Sequence, residues 1–379
     1  MPTYSLPAVS DYENTRPLEG SRIIPRHHSH NHDPIVQITM RAKKVHYGET
    51  GLKSTLVGPY PRVGSECGDK LRRELNRLYE GNGDPELVRS LRKDLTGEVV
   101  REMVAAGISL PNSGLIDVHD ELTWPLEHAD GVRLGGMKKI FHTNIHYRQA
   151  LVDSEVQRKE PLVGNLYKAA LRLHPRVKVE FPGPFTMAKH SVLGKDSPYR
   201  DLNDLAEAYA RLYREELSSL KDAPLVQFNE PSMIAPGARI EDMGLLPELY
   251  SKMLSGLDVP VAVWTFYGKY SPKALETLLS MPVDVVGLDF AWDTELDTQL
   301  RKGLSCDKGI GIGVIDSGDR GYVQFEDPTR VLERVSRMSG HVDIEESFLS
   351  CNATLEHLPR DYARRKAALI GEIARRISA

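Results

Sequence analysis

Eight short apolar runs rich in β-branched residues recur between about residues 56 and 351, and stretches of helical periodicity separate them. The runs occupy 56–62 (LVGPYPR), 107–117, 177–185, 225–230, 259–267, 283–290, 309–316 and 341–351. Strand followed by helix, repeated along a chain, predicts a parallel sheet. Continuous apolar stretches such as VDVVGL suit strands covered on both faces. Eight such units predict an α/β chain folded as a (β/α)8 TIM barrel over residues 51–379, with an N-terminal extension, partly irregular, over residues 1–50. A doubly wound open sheet is the alternative. It is disfavoured because no GxGxxG turn follows the first run, and GIGIG at 309–313 lies inside a strand.

The helices between the runs are legible in the same way. Residues 85–106 place Leu87, Leu91, Leu95, Val99, Val100 and Met103 on one stripe, and 202–220 is amphipathic. Asp327 followed by Pro328 marks a helix start for 328–339, and a basic amphipathic helix covers 358–377. In the extension, a short strand is expected at 35–39. The stretch RHHSHNHDP at 26–34 carries His27, His28, His30 and His32, which read either as a weak metal-binding tract or as a solvated extension.

Composition narrows the function. Forty-nine Lys and Arg stand against 53 Asp and Glu, for a formal charge of -4, with 40% hydrophobic residues. That balance excludes a disordered chain and argues against nucleic acid as a partner. No run approaches the roughly 20 apolar residues of a membrane span, so no membrane partner is expected. Cys67, Cys306 and Cys351 are far apart and form no CxxC pair. With no apolar stretch of the signal-peptide kind near the N-terminus, the expected location is a reducing cytoplasm.

In such barrels chemistry sits at the carboxyl ends of the strands. Read that way, the candidate site residues are Tyr60 and Arg62 after the first run, then His119 and Glu121 after the second. Asn229 and Glu230 follow from the fourth, Trp264 and Tyr267 from the fifth, Asp289 from the sixth, Asp316 from the seventh and Cys351 from the eighth. Carboxylates converging from several strands require protons, a cation or an amine-bearing ligand to offset their repulsion. A pocket for a small, amino-acid-like substrate is the expectation.

The motifs LVGPYPR, FPGPFTMA, QFNEPSM, VVGLDF and GIGIGVID, in this order, resemble the cobalamin-independent methionine synthase family. GISLPNSGLIDVHDEL and KKIFHTNIHYRQALV are similar to the N-terminal barrel of those two-barrel enzymes. The resemblance covers roughly residues 54–375. It implies methyl transfer from a methylated folate to homocysteine, with a zinc-bound thiolate as nucleophile. It also implies zinc ligands from a His-x-Cys pair after the fifth strand, a Glu at the sixth and a Cys after the eighth. Those positions hold Phe266, Gly268, Asp289 and Ala353, with Cys351 two residues from the last. The family's histidine after the seventh strand falls near Ser317 or Gly318.

The expectation is therefore no metal ligand set and no zinc, with a methyl-folate as candidate donor. Glu121, His119, Asp289 and Asp316 are expected to be catalytic, and Tyr60, Arg62, Asn229, Glu230, Trp264, Tyr267 and Cys351 to bind substrate. Three functions stay open. They are a zinc-independent methyltransferase of methionine biosynthesis acting on a small amino-acid-like or thiol substrate, a non-catalytic barrel binding a folate or a methyl-donor protein, and a recruited barrel with other carbon–sulfur chemistry. His119, His142 and His146 are the histidines available as bases near the strand ends.

Overall fold

The apolar runs pair side by side in one curled parallel sheet. In the computed structural model, residues 16–17, 50–141, 145–302, 307–318 and 324–379 are described. The expected strand at 35–39, the His-rich stretch, His142 and Cys306 lie outside the described residues. Strands β1 (Arg16–Pro17), β2 (Lys53–Ser54), β3 (Ala129–Lys139), β4 (His146–Arg158), β5 (Val179–Pro182) and β6 (Ser191–Leu193) come first in chain order. They are followed by β7 (Val226–Asn229), β8 (Val261–Trp264), β9 (Val285–Asp289), β10 (Gly309–Ile315) and β11 (Phe348–Cys351).

The main sheet runs in the order β2-β11-β10-β9-β8-β7-β5, and its pairings among the described residues are parallel. Between its two outer strands lies the second run, reduced to a single parallel bridge from Leu110 to Thr55. On its other side the Lys178 amide donates to the Pro111 carbonyl at 2.9 Å. The first strand lies three residues ahead of the apolar run: it is Lys53–Ser54, and 56–62 is the loop at its carboxyl end.

The helices fall close to expectation. Pro85–Ala105 buries Leu91, Leu95, Val99, Val100 and Met103, but Leu87 is 43% exposed and Val88 packs inward instead. Asp327 caps Pro328–Ser339, accepting from the Thr329 and Arg330 amides. No helix among the described residues is long and apolar enough to cross a membrane.

A second sheet of four strands, β1-β6-β4-β3, was not foreseen. One side of it is the long antiparallel hairpin of β3 and β4, inserted between the second and third units of the main sheet. β3 reads ADGVRLGGMKK, mostly half-exposed and poor in β-branched residues, so alternation gives little signal there.

Chain ends of the main sheet are tied together by long-range contacts. β11 pairs with β2, and Thr354 Oγ1 donates to the Pro59 carbonyl. Arg360, on the helix Arg360–Ser378, bonds Ser65 and pairs with Glu98 and Glu102 at 3.0 and 2.9 Å.

Candidate functional site at the carboxyl ends of the sheet

The interior of the sheet fills before any ligand is considered. Trp264, Gly287, Gly311 and Phe348 are register partners across β8, β9, β10 and β11. The indole of Trp264 lies over both glycines: a Cβ at Gly287 would stand 2.0 Å from the ring, and one at Gly311 2.3 Å from it. Gly287 of VVGLDF and Gly311 of GIGIG therefore make room for tryptophan rather than for a phosphate. Beside them Lys178 and Glu180, both fully buried, form an ion pair at 3.1 Å. Lys178 Nζ also donates to the Leu56 carbonyl and Gln227 Oε1, and burial lowers its pKa.

Several expected site residues belong to this interior. Trp264 is wholly buried core and lines none of the described clefts. Cys351 is also fully buried, and burial pushes its thiol up to about 11, the wrong direction for a nucleophile or zinc ligand. Tyr60 is 1% exposed, and burial raises its phenol further.

Two expected carboxylates have been spent on architecture. Glu230 accepts from the Phe185 and Thr186 amides at 3.1 and 2.8 Å, from Thr186 Oγ1 at 2.6 Å and from the Tyr250 hydroxyl at 3.0 Å. It thereby anchors the first turn of the helix Pro184–Lys189, so an ammonium-binding role is not its position here. Gly183 is required beside it, since a Cβ there would meet Glu230 Cδ at 2.0 Å. Burial pushes the Glu230 carboxyl up to about 7 against those four donors. Asp289, also fully buried, accepts from the Tyr267 and Trp292 amides and from Asn352 Nδ2. It positions Tyr267, whose backbone sits at φ 71°. The expected crowd of carboxylates needing an external cation is thus largely answered from within, by amide and hydroxyl donors.

What remains open at the strand ends is a narrow cleft beneath the β3–β4 hairpin. Glu121, Thr186, Asn229, Phe266 and Tyr267 line it from below, and Phe141 and Tyr147 from the hairpin side. Phe141 (φ 50°) and Tyr267 touch with ring centroids 5.9 Å apart. His190 packs edge-on to Phe141 and Tyr147 and bonds Ser232 Oγ at 3.0 Å. Burial drops its pKa to about 4, so at neutral pH it is an uncharged imidazole. Asn229 Oδ1 accepts from Gln227 Nε2 at 2.8 Å, which fixes its amide at the cleft floor.

Beside the cleft a cavity of about 90 Å³ is lined by Asp117, Trp124, Glu127 and Tyr167 among others. Glu127 Oε2 lies 3.6 Å from His119 Nε2. Burial, then the charge of Asp120, pushes the Glu127 carboxyl up to about 7, while burial and Arg92 lower His119. Glu127 therefore holds its proton up to near neutrality, while its neighbour His119 is pushed toward the uncharged form. Glu127 was missed in the sequence because it lies in a 3-10 turn (Trp124–His128) past the strand end.

The raised Glu127 has a consequence for stability. The folded chain holds this proton more tightly than the unfolded chain, so its contribution is full below about 4.5 and is lost as pH rises through about 7. Glu127→Gln should therefore show a shallower fall of melting temperature across that window than the parent. Equal slopes in the two proteins would show that another group titrates.

Arg62 and Asp316 sit apart from the cleft lining. Arg62 Nη2 pairs with Glu356 at 3.0 Å, and the Gly318 amide donates to Asp316 Oδ1. Glu121, Glu356 and His357 bring their ligand atoms within 4.8 Å of one another. Only Glu121 of these was singled out in the sequence, because Glu356 and His357 lie in the turn after β11 rather than at its end.

The family's thiolate–zinc ligands have no counterpart here. Phe266 and Ala353 carry no donor, and a Cβ at Gly268 would lie 1.8 Å from the Ile234 carbonyl oxygen, leaving no room for a cysteine. Asp289 is occupied as described, and Cys351 is buried. The residues do not fit that zinc site.

The model of the cobalamin-independent synthase N-terminal domain matches residues 130–341, more than half of the chain. The 5-methyltetrahydropteroyltriglutamate–homocysteine methyltransferase of Bacillus velezensis is 30% identical over 238 residues, which is 59% of this chain and 29% of that protein. Its namesake in Streptococcus gordonii is 28% identical over 237 residues, 60% of this chain and 30% of that protein. The chain thus spans under a third of the length of these relatives. Among solved structures, a B12-independent methionine synthase from Shewanella sp. W3-18-1 in complex with selenomethionine has a TM-score of 0.68 at 18% identity, covering 86% of this chain and 98% of that one. A putative vitamin-B12 independent methionine synthase from Listeria monocytogenes gives 0.65 at 15% identity, covering 87% and 99%. The structural likeness shows the fold, and the sequence match over more than half of the chain places it in the cobalamin-independent methionine synthase family.

Proposed function

We propose that this chain transfers a methyl group, from a methylated folate or another donor, to a small amino-acid-like or thiol substrate at the carboxyl ends of the sheet. The observation that carries the reading is family membership, whose curated relatives are named as homocysteine methyltransferases. The same reading takes residues 51–379 as one (β/α)8 barrel, with 108–111 as its remaining member, and residues 1–50 as an extension.

The residues around the cleft supply what such a transfer needs. Glu121 and the second lone pair of Asn229 Oδ1 offer acceptors to an ammonium, and Phe266, Tyr267 and Phe141 offer aromatic faces to a flat donor ring. A thiol near its ordinary pKa of about 8.5 is mostly protonated at neutral pH, so a base must take its proton. The base we assign is Glu127 of the cavity beside the cleft, with His119 3.6 Å from it. The thiolate then attacks the methyl carbon, the bond from that carbon to the donor breaks, and the donor leaves with the electron pair and takes up a proton.

Incubating the full chain with a labelled methyl-folate and homocysteine tests this. Labelled methionine is expected, with a rate at least about tenfold lower in Glu127→Gln. Folate binding without product would instead support a non-catalytic folate- or partner-binding barrel. That second reading is favoured by one observation, the match to the N-terminal rather than the C-terminal domain of the family.

A further inference from the structure

We infer that Glu121, Glu356 and His357 form a binding site for one first-row divalent cation, on the rim of the cleft and distinct from the family's zinc positions. The three side chains come from two turns that the fold brings together, one after the second strand segment and one after β11. Each offers a ligand atom, and these atoms lie within 4.8 Å of one another. One ion bonded at about 2.0–2.2 Å to each needs spacings of at most about 4.4 Å, so the side chains draw in by a few tenths of an ångström on binding.

Both turns are fixed independently of any ion. Asp120 Oδ1 accepts from the Leu122 and Thr123 amides, which holds the backbone just after Glu121. The Glu356 amide donates to Thr354 Oγ1, itself bonded to Pro59, while Leu355 and Leu358 are buried on either side of the pair. The ligand-bearing backbone is therefore preorganised, and binding need not order a loop.

Charge and donor type narrow the ion. Arg62 offsets one carboxylate through Glu356 Oε1, so the two carboxylates keep one net negative charge between them. One nitrogen with two carboxylates suits Zn²⁺, Mn²⁺, Fe²⁺ or Co²⁺, and offers no thiolate to a soft ion. Three protein ligands leave coordination positions open. Because Glu121 also lines the cleft, those positions are available to a carboxylate or amine of whatever the cleft holds. The inference stands apart from the methyl-transfer reading and would survive its failure.

The test is metal binding itself. Full-length protein, stripped with chelator, is titrated with Co²⁺ and followed by its visible absorption, with Zn²⁺ measured by equilibrium dialysis. One saturable site per chain is expected. His357→Ala and Glu121→Gln should each weaken it at least about tenfold, comparable to the larger effects of altering a metal site. His357 is exposed and Glu121 half-buried, so neither change disturbs the core. A chain with His27, His28, His30 and His32 all changed to alanine should keep the site. Binding that persists unchanged in His357→Ala and Glu121→Gln, or that vanishes with the four N-terminal histidines, overturns the inference.

Discussion

Glu230→Ala is expected to be the most damaging single substitution in this chain, lowering stability by at least about 3 kcal/mol. The reason is the number of donors that lose their acceptor at once. The Phe185 and Thr186 amides, the Thr186 hydroxyl and the Tyr250 hydroxyl all end on this carboxylate, in a site with no exposure. An unpaired buried donor costs about 1–3 kcal/mol, and water entering the cavity recovers only part of that. The helix Pro184–Lys189 and Asn229 both adjoin the cleft, so ligand binding should weaken along with stability. Urea unfolding of Glu230→Ala against the parent measures the effect. A midpoint within error of the parent would show that the four donors find other acceptors, and that the carboxylate is free for a ligand after all.

Gly287→Ala is expected to cost about 3 kcal/mol, a large penalty for one methyl group. In most strands the added methyl would help, because alanine restricts the unfolded chain more than glycine does. Here it would stand 2.0 Å from the Trp264 ring, and the ring already lies over Gly311 in the same register row, where a Cβ would stand 2.3 Å from it. The distinguishing measurement is the double variant Gly287→Ala with Trp264→Leu. If the clash is the cause, the smaller side chain relieves it and the double variant loses less than the two singles together. Strict additivity would rule out the steric account.

These two positions also show where the sequence was readable. Strands β5 and β7 to β11 announce themselves as short apolar runs, and the helix capped by Asp327 starts where Asp followed by Pro predicts. Facing direction was not readable. Successive strand residues point to opposite sides, so a strand end such as VAVWTFY offers both core and cleft residues in one run. Trp264 went inward and Tyr267 to the cleft, and only the glycines of β9 and β10 explain why. Glu230 and Asp289 read as ligand-seeking acids because their donors, the amides of Thr186 and Tyr267 among them, come from other strand ends. Glu127, Glu356 and His357 lie in turns, where periodicity carries no information. The β3–β4 hairpin escaped because half-exposed strands lack a clean apolar alternation.

The pairing of β2 with β11 has a consequence for how the chain comes to be folded. Pro59 and Thr354, which meet beside that pair, are 295 residues apart in sequence. At typical synthesis rates that stretch takes roughly 15 to 60 s to make, far longer than local helices need to form. For that time β2 lacks its β11 neighbour, and the Arg360 side chain that would neutralise Glu98 and Glu102 does not yet exist. An unpaired strand edge beside unpaired acids is held open to water, which favours waiting over premature association. Closure is then a late, slow event of high contact order, so this seam should govern the rate at which newly made chain escapes aggregation.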